Sequence, residues 1–92
     1  MQAIKLSIIV PVYNEKQVIE KTSDKLLAAF QEFHEQIEIL FVDDNSPDGT
    51  ANEVLRVSKS LPQVQLVQHG KKEGIGAAHR AGYESARGEY IL

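Results

Sequence analysis

The sequence predicts an α/β fold: a parallel sheet covered by helices on both faces. Three observations carry that prediction. Short β-branched runs are too continuously apolar for burial on one face only. Segments of helical period lie between them. Turn-forming residues gather after the runs.

Leu6-Ser7-Ile8-Ile9-Val10-Pro11-Val12 reads as the first strand. Pro11 has no N–H to donate and is expected to end its ladder. From Val18 to Glu35 the period changes. Val18, Thr22, Leu26, Ala29 and Phe33 fall three or four apart with charges opposite, which predicts one amphipathic helix. Ile37 to Val42 is a second strand, and Asp43 to Gly49 is a loop dense in turn formers. Thr50 with Glu53 fits a capping box that opens a second helix, closed off by Pro62. Val64 to Gln68 is a third strand, and His69 to Glu73 a polar, basic loop. Gly74 to Ala86 reads as a third helix rich in small residues, with Gly88 as its stop. Glu89 to Leu92 opens a fourth strand.

Strands alternating with helices call for right-handed crossovers and the strand order 3-2-1, with the fourth strand beside the first. Ligands of such sheets bind beyond the carboxyl ends of the strands. That rule selects three loops: Pro11 to Gln17, Asp43 to Thr50, and His69 to Gly76.

The 92 residues make one small domain. A net charge of -3, with both signs interspersed, leaves no basic face and argues against nucleic acid as a partner. The absence of cysteine excludes disulfides and thiolate metal sites. No apolar run is long enough to span a bilayer, and the N-terminus lacks the apolar core of a signal peptide. A cytoplasmic location is the default expectation.

Each selected loop carries groups suited to a ligand. Tyr13 offers a flat apolar ring with a polar tip, and Glu15 two acceptor oxygens that could hold a vicinal diol. A surface tyrosine and a helix-capping glutamate explain the same residues. Asp43 and Asp44 end a buried strand side by side, and their mutual repulsion requires a stabilising partner. Adjacent strand residues point to opposite faces, so one of the pair faces the cleft and the other ties down the loop. A solvated acidic turn is the alternative. Lys71 and Lys72 lie with Gly74 and Gly76 at a helix N-terminus, where an anion is favoured. A basic surface loop is the plainer reading. The three histidines have no metal-ligand spacing, and no catalytic or metal-binding residue is assigned.

Taken together, "SIIVPVYNE" at 7–15, "ILFVDDNSPDGT" at 39–50 and "KKEGIGAAHRAGYESARGEYIL" at 71–92 resemble glycosyltransferase family 2. Within it they look most like the dolichyl-phosphate mannosyltransferases and related polyprenyl-phosphate glycosyltransferases. The resemblance implies a Rossmann-like, GT-A type domain, of which residues 1–92 are the N-terminal nucleotide-binding portion. It implies transfer of mannose from GDP-mannose to dolichyl or polyprenyl phosphate. Pro11, Tyr13 and Glu15 match the segment lining the nucleoside, Val42 and Asp44 the base-contacting pair, and Asp43 its structural partner. Lys71 and Lys72 match a basic segment. The family's divalent metal (Mg or Mn) is held by an Asp-x-Asp motif expected after the fourth strand, beyond Leu92. Three expectations complete the reading: without that motif the 92 residues alone transfer no sugar, their apolar fourth strand makes them self-associate, and the lipid acceptor brings the full enzyme to the cytosolic face of a membrane. A receiver-like signalling domain shares the acidic pair, but carries it after the first strand. A non-catalytic nucleotide-binding module is the other alternative.

Overall fold

The computed structural model describes residues 3–68 and 75–92. Four parallel strands form one sheet in the order β3-β2-β1-β4, with β1 at Leu6–Val12, β2 at Ile37–Asp43, β3 at Val64–Gln68 and β4 at Tyr90–Ile91. This is the predicted order. β2 is central and every one of its residues is buried, which explains its unbroken apolar run.

β1 pairs with β2 from Leu6↔Ile37 to Val12↔Asp43, so alternate residues of the two strands share a face. Leu6, Ile8, Val12, Ile37, Ile39 and Phe41 form the core on one side. Ile19 of α1 (Ile19–Ala29) and Val54 and Val57 of α2 (Thr50–Ser60) pack against them. The opposite face carries Ile9 and Val42 beneath α3 (Ile75–Ser85). A Cβ on Gly82 would lie 2.4 Å from Ile9 Cγ2 and 3.2 Å from Val42 Cγ2. The glycine is therefore required by the close approach of α3 to the sheet.

Four expectations are corrected. The ladder does not end at Pro11: β1 runs on to Val12. The N–H of Ile9 donates to the Leu92 carbonyl at 2.9 Å, toward β4. Pro11, two residues on, turns its missing N–H to that same side, past the end of the short β4, so its pairing with β2 is kept. The single helix from Val18 to Glu35 is instead a 3-10 turn at Lys16–Val18, then α1, then a second 3-10 turn at Gln31–Gln36. Phe30 leaves helical geometry at φ -116° and ψ 32°. The break lets Phe30 and Phe33 pack against the lower core of Leu6, Ile8 and Ile37.

The capping box does not form either. Gly49, at φ 89°, precedes α2, and Thr50 is already its first residue. Glu53 turns instead to Arg56, accepting from Nη2 at 2.6 Å, and that bond holds its carboxyl below the usual range. Gly88 is not a left-handed helix stop but a point of contact. A Cβ there would sit 2.6 Å from the backbone nitrogen of Ser7. His69, Lys71, Lys72 and Gly74 lie outside the described residues.

Candidate functional site

Two of the three selected loops are described, and they are fastened to each other at the carboxyl edge of the sheet. The Asp44 N–H donates to the Val12 carbonyl at 3.3 Å, which closes the end of β2 onto the end of β1. Each loop then turns through one left-handed asparagine, Asn14 at φ 53° and Asn45 at φ 58°. Asparagine tolerates that conformation better than other non-glycine residues.

The acidic pair divides its roles. Asp43 is 1% exposed and satisfied within its own loop. Its two oxygens accept the Ser46 N–H at 3.3 Å each, and Oδ1 also accepts the Ser46 hydroxyl at 2.5 Å. Asp44 is 7% exposed, and its Oδ1 is buried with no hydrogen-bond partner among the described residues. A buried acceptor without a donor is costly, about 1–3 kcal/mol, and rare in folded proteins. Val42, which precedes this pair, is fully buried beside Gly82 of α3. Pro11 is half-buried, while Tyr13 and Glu15 are exposed at the rim. Glu15 Oε1 accepts the Tyr13 N–H at 3.3 Å, folding the carboxylate back over its own loop.

Asp48 was not singled out from the sequence, yet it is a junction of this edge. Its Oδ1 accepts the Thr50 N–H at 2.9 Å and also the Thr50 hydroxyl. Its Oδ2 accepts the Lys16 N–H at 3.3 Å. The Thr50 hydroxyl bond is the main cause holding its carboxyl below the ordinary value of 3.8. A depressed pKa stabilises the fold above the unfolded value, and that stabilisation fades as pH falls through the folded one. The stability gap between the protein and its Asp48→Asn variant should therefore be constant at neutral pH and close below pH 3.8. Thermal melts of both from neutral to strongly acidic pH check this. A gap that persists under full protonation would show that the charge contributes nothing.

Among the described residues no three His, Asp or Glu side chains gather as a metal-binding group. Asp43 is engaged by Ser46, which leaves Asp44 alone, so the described residues do not fit a metal centre.

A parallel α/β sheet with a buried carboxylate at its carboxyl edge places the candidate site where ligands of this fold class bind. The chain belongs to the Glycosyl transferase family 2, whose profile matches residues 7–92. It is 33% identical over 91 residues to the dolichol-phosphate mannosyltransferase of Saccharomyces cerevisiae, covering 98% of this chain and 34% of that protein. It is 35% identical over 95 residues to the dolichyl-phosphate beta-glucosyltransferase ALG5A of Trichomonas vaginalis, covering 98% of this chain and 29% of that protein. The mannosyltransferase PcManGT of Pyrobaculum calidifontis, solved in complex with GDP-Man and Mn2+, superposes with a TM-score of 0.84 at 28% identity. That match covers 99% of this chain and 27% of the other. The chain thus spans about a third or less of the length of these proteins. Its sheet and helices match those of a GT-A glycosyltransferase.

Proposed function

We propose that the chain forms the nucleotide-sugar-binding part of an enzyme that transfers mannose from GDP-mannose to dolichyl or polyprenyl phosphate. In that reaction a phosphate oxygen of the lipid bonds to the anomeric carbon, the bond from that carbon to the nucleotide breaks, and GDP leaves. The observation that carries the reading is the Oδ1 of Asp44, buried without a partner among the described residues, next to a loop bearing Tyr13 and Glu15. Guanine presents an N–H and an amino group side by side, the donors that such a carboxylate lacks. Glu15 faces the ribose diol and Tyr13 the nucleoside, with Pro11 and Val42 shaping the wall and floor and Asp43 fixing the loop. Lys71 and Lys72 belong to the proposal as a basic segment whose charge suits a diphosphate. The kinship to a dolichol-phosphate mannosyltransferase and to a structure holding GDP-Man supports donor and acceptor.

A divalent metal, Mg or Mn, belongs to the proposed whole enzyme. So does contact with a membrane surface. No helix among the described residues is long and apolar enough to cross a membrane. The 92 residues hold no proposed catalytic group, and no transfer by them alone is expected.

Calorimetric titration with GDP and UDP tests the reading. Preference for GDP is expected, and a preference for UDP would overturn the guanosine assignment. Self-association is proposed through the free edge of β4, where Tyr90 and Leu92 are exposed. Light scattering should show mass rising with concentration, and a strict monomer would remove the claim.

A further inference from the structure

The two loops at the carboxyl edge are joined in an ordered way. Three successive backbone N–H groups of the first loop end on three alternate side chains of the second. Asn14 donates to Ser46 Oγ at 3.0 Å, Glu15 to Thr50 Oγ1 at 3.1 Å, and Lys16 to Asp48 Oδ2 at 3.3 Å. The direction of these bonds is enforced. A hydroxyl has one proton to give and two lone pairs to receive with. The Ser46 proton goes to Asp43, and the Thr50 proton goes to Asp48. Each hydroxyl is thereby left as an acceptor facing the first loop. The result is two parallel relays, Asp43–Ser46–Asn14 and Asp48–Thr50–Glu15, each running from carboxylate through hydroxyl to backbone amide. Bonds in such chains polarise one another and strengthen.

These bonds oppose a real tendency of the loop. Asn14 sits in the left-handed region at φ 53°, a conformation that L-residues enter at a cost. Without its amide partner the loop would be free to relax, and the Tyr13–Glu15 segment would move with it. None of Ser46, Asp48 and Thr50 is needed to touch a ligand for this to matter. They fix the rim against the strand end that carries Asp44.

We infer that Ser46, Asp48 and Thr50 are positioning residues of the nucleotide site. They act through the backbone of Asn14, Glu15 and Lys16 to hold Tyr13 and Glu15 in register with Asp44. This rests on the functional reading above. Gly49, at φ 89°, turns the chain between Asp48 and Thr50, so that Thr50 meets Glu15 and Asp48 meets Lys16.

The test uses paired substitutions in the purified protein. Thr50→Val keeps the side-chain shape and removes the acceptor, and Thr50→Ser restores it. Ser46→Ala and Ser46→Thr make the same comparison at the other relay and decide the matter if Thr50→Val does not fold. Amide hydrogen exchange at Glu15 and Asn14 is read by NMR, and affinity for GDP and UDP by calorimetry. Thr50→Val should speed exchange at Glu15 and weaken nucleotide binding about five- to tenfold, the equivalent of one lost neutral hydrogen bond. Thr50→Ser should return both to within about twofold of the parent. A merely structural role would lower melting temperature without this amide-specific pattern and its rescue. Faster exchange at Glu15 with unchanged affinity would overturn the positioning role, as would unchanged exchange. If the parent binds neither nucleotide, the functional reading falls and the positioning role with it. That outcome is distinct from failure of the relay alone, in which the parent binds and Thr50→Val binds equally well.

Discussion

Glu38→Ala is expected to lower the stability of the fold by about 2–4 kcal/mol, a large share of what a small domain possesses. Glu38 is a carboxylate in the middle strand, 1% exposed, at the end of the sheet remote from the candidate-site loops. It is accommodated because it is fully used. Its oxygens accept the Ser7 hydroxyl at 2.6 Å, the Arg87 N–H at 2.7 Å and the Arg87 Nε at 3.1 Å. Ser7 Oγ in turn accepts the Gly88 N–H at 2.8 Å. One carboxylate thus ties β1 and β2 to the turn leading into β4. The charge attraction itself counts for little, because the Arg87 side chain is 57% exposed and solvent screens it. The loss comes from stranding the buried Ser7 hydroxyl and the Arg87 N–H, and from the hole left in the strand. Glu38→Gln keeps an acceptor and should lose less. Denaturant midpoints for the three proteins, at constant slope, provide the check. A Glu38→Ala midpoint indistinguishable from the parent would show that the clasp holds nothing.

The fold was legible because its signal is periodic. β2 is apolar at nearly every position, α1 and α2 carry their stripes, and the crossover rule orders the strands. What escaped was set by tertiary contact. Glu38 looks like one charge in an apolar run, and only its bonds to Ser7 and Arg87, 31 and 49 residues away, explain its burial. The break at Phe30 follows from where two aromatic rings must pack, which helical periodicity does not encode. Thr50 and Glu53 match a capping pattern, but Asp48 outcompetes it from two residues before Thr50. Gly88 reads as a helix stop and is instead a close approach to Ser7. At the candidate site, residue types and loops were visible in the sequence, and so was the need for one aspartate to serve the loop. The residues alone left open which of the two does so, the family resemblance pointed to Asp43, and the physical reason is the seryl group three residues on, whose amide and hydroxyl both close on Asp43.

That division of labour yields the second expectation, in which binding and stability move in different directions. Asp44→Ala should weaken guanosine-nucleotide binding about ten- to a hundredfold, the worth of a hydrogen bond to a charged acceptor. In the free protein, however, the Asp44 Oδ1 is buried without a donor among the described residues, so it contributes nothing favourable there. Its removal should leave the melting temperature unchanged or raise it, as expected for a group kept for function at a cost in stability. Asp43→Ala should do the reverse to stability. Asp43 holds the Ser46 amide and hydroxyl, so the melting temperature should fall, and affinity should fall only as the loop loosens. The comparison tests the assignment of Asp44 to the ligand and of Asp43 to the loop. Calorimetry with GDP gives the affinities, and thermal melts without nucleotide give the stabilities. Unchanged GDP affinity in Asp44→Ala, or a loss of stability in it as large as in Asp43→Ala, would remove Asp44 from the site. A stabilised Asp44→Ala protein that no longer binds GDP is the expected result if the donor for this acceptor, which has none among the described residues, is the proposed nucleotide.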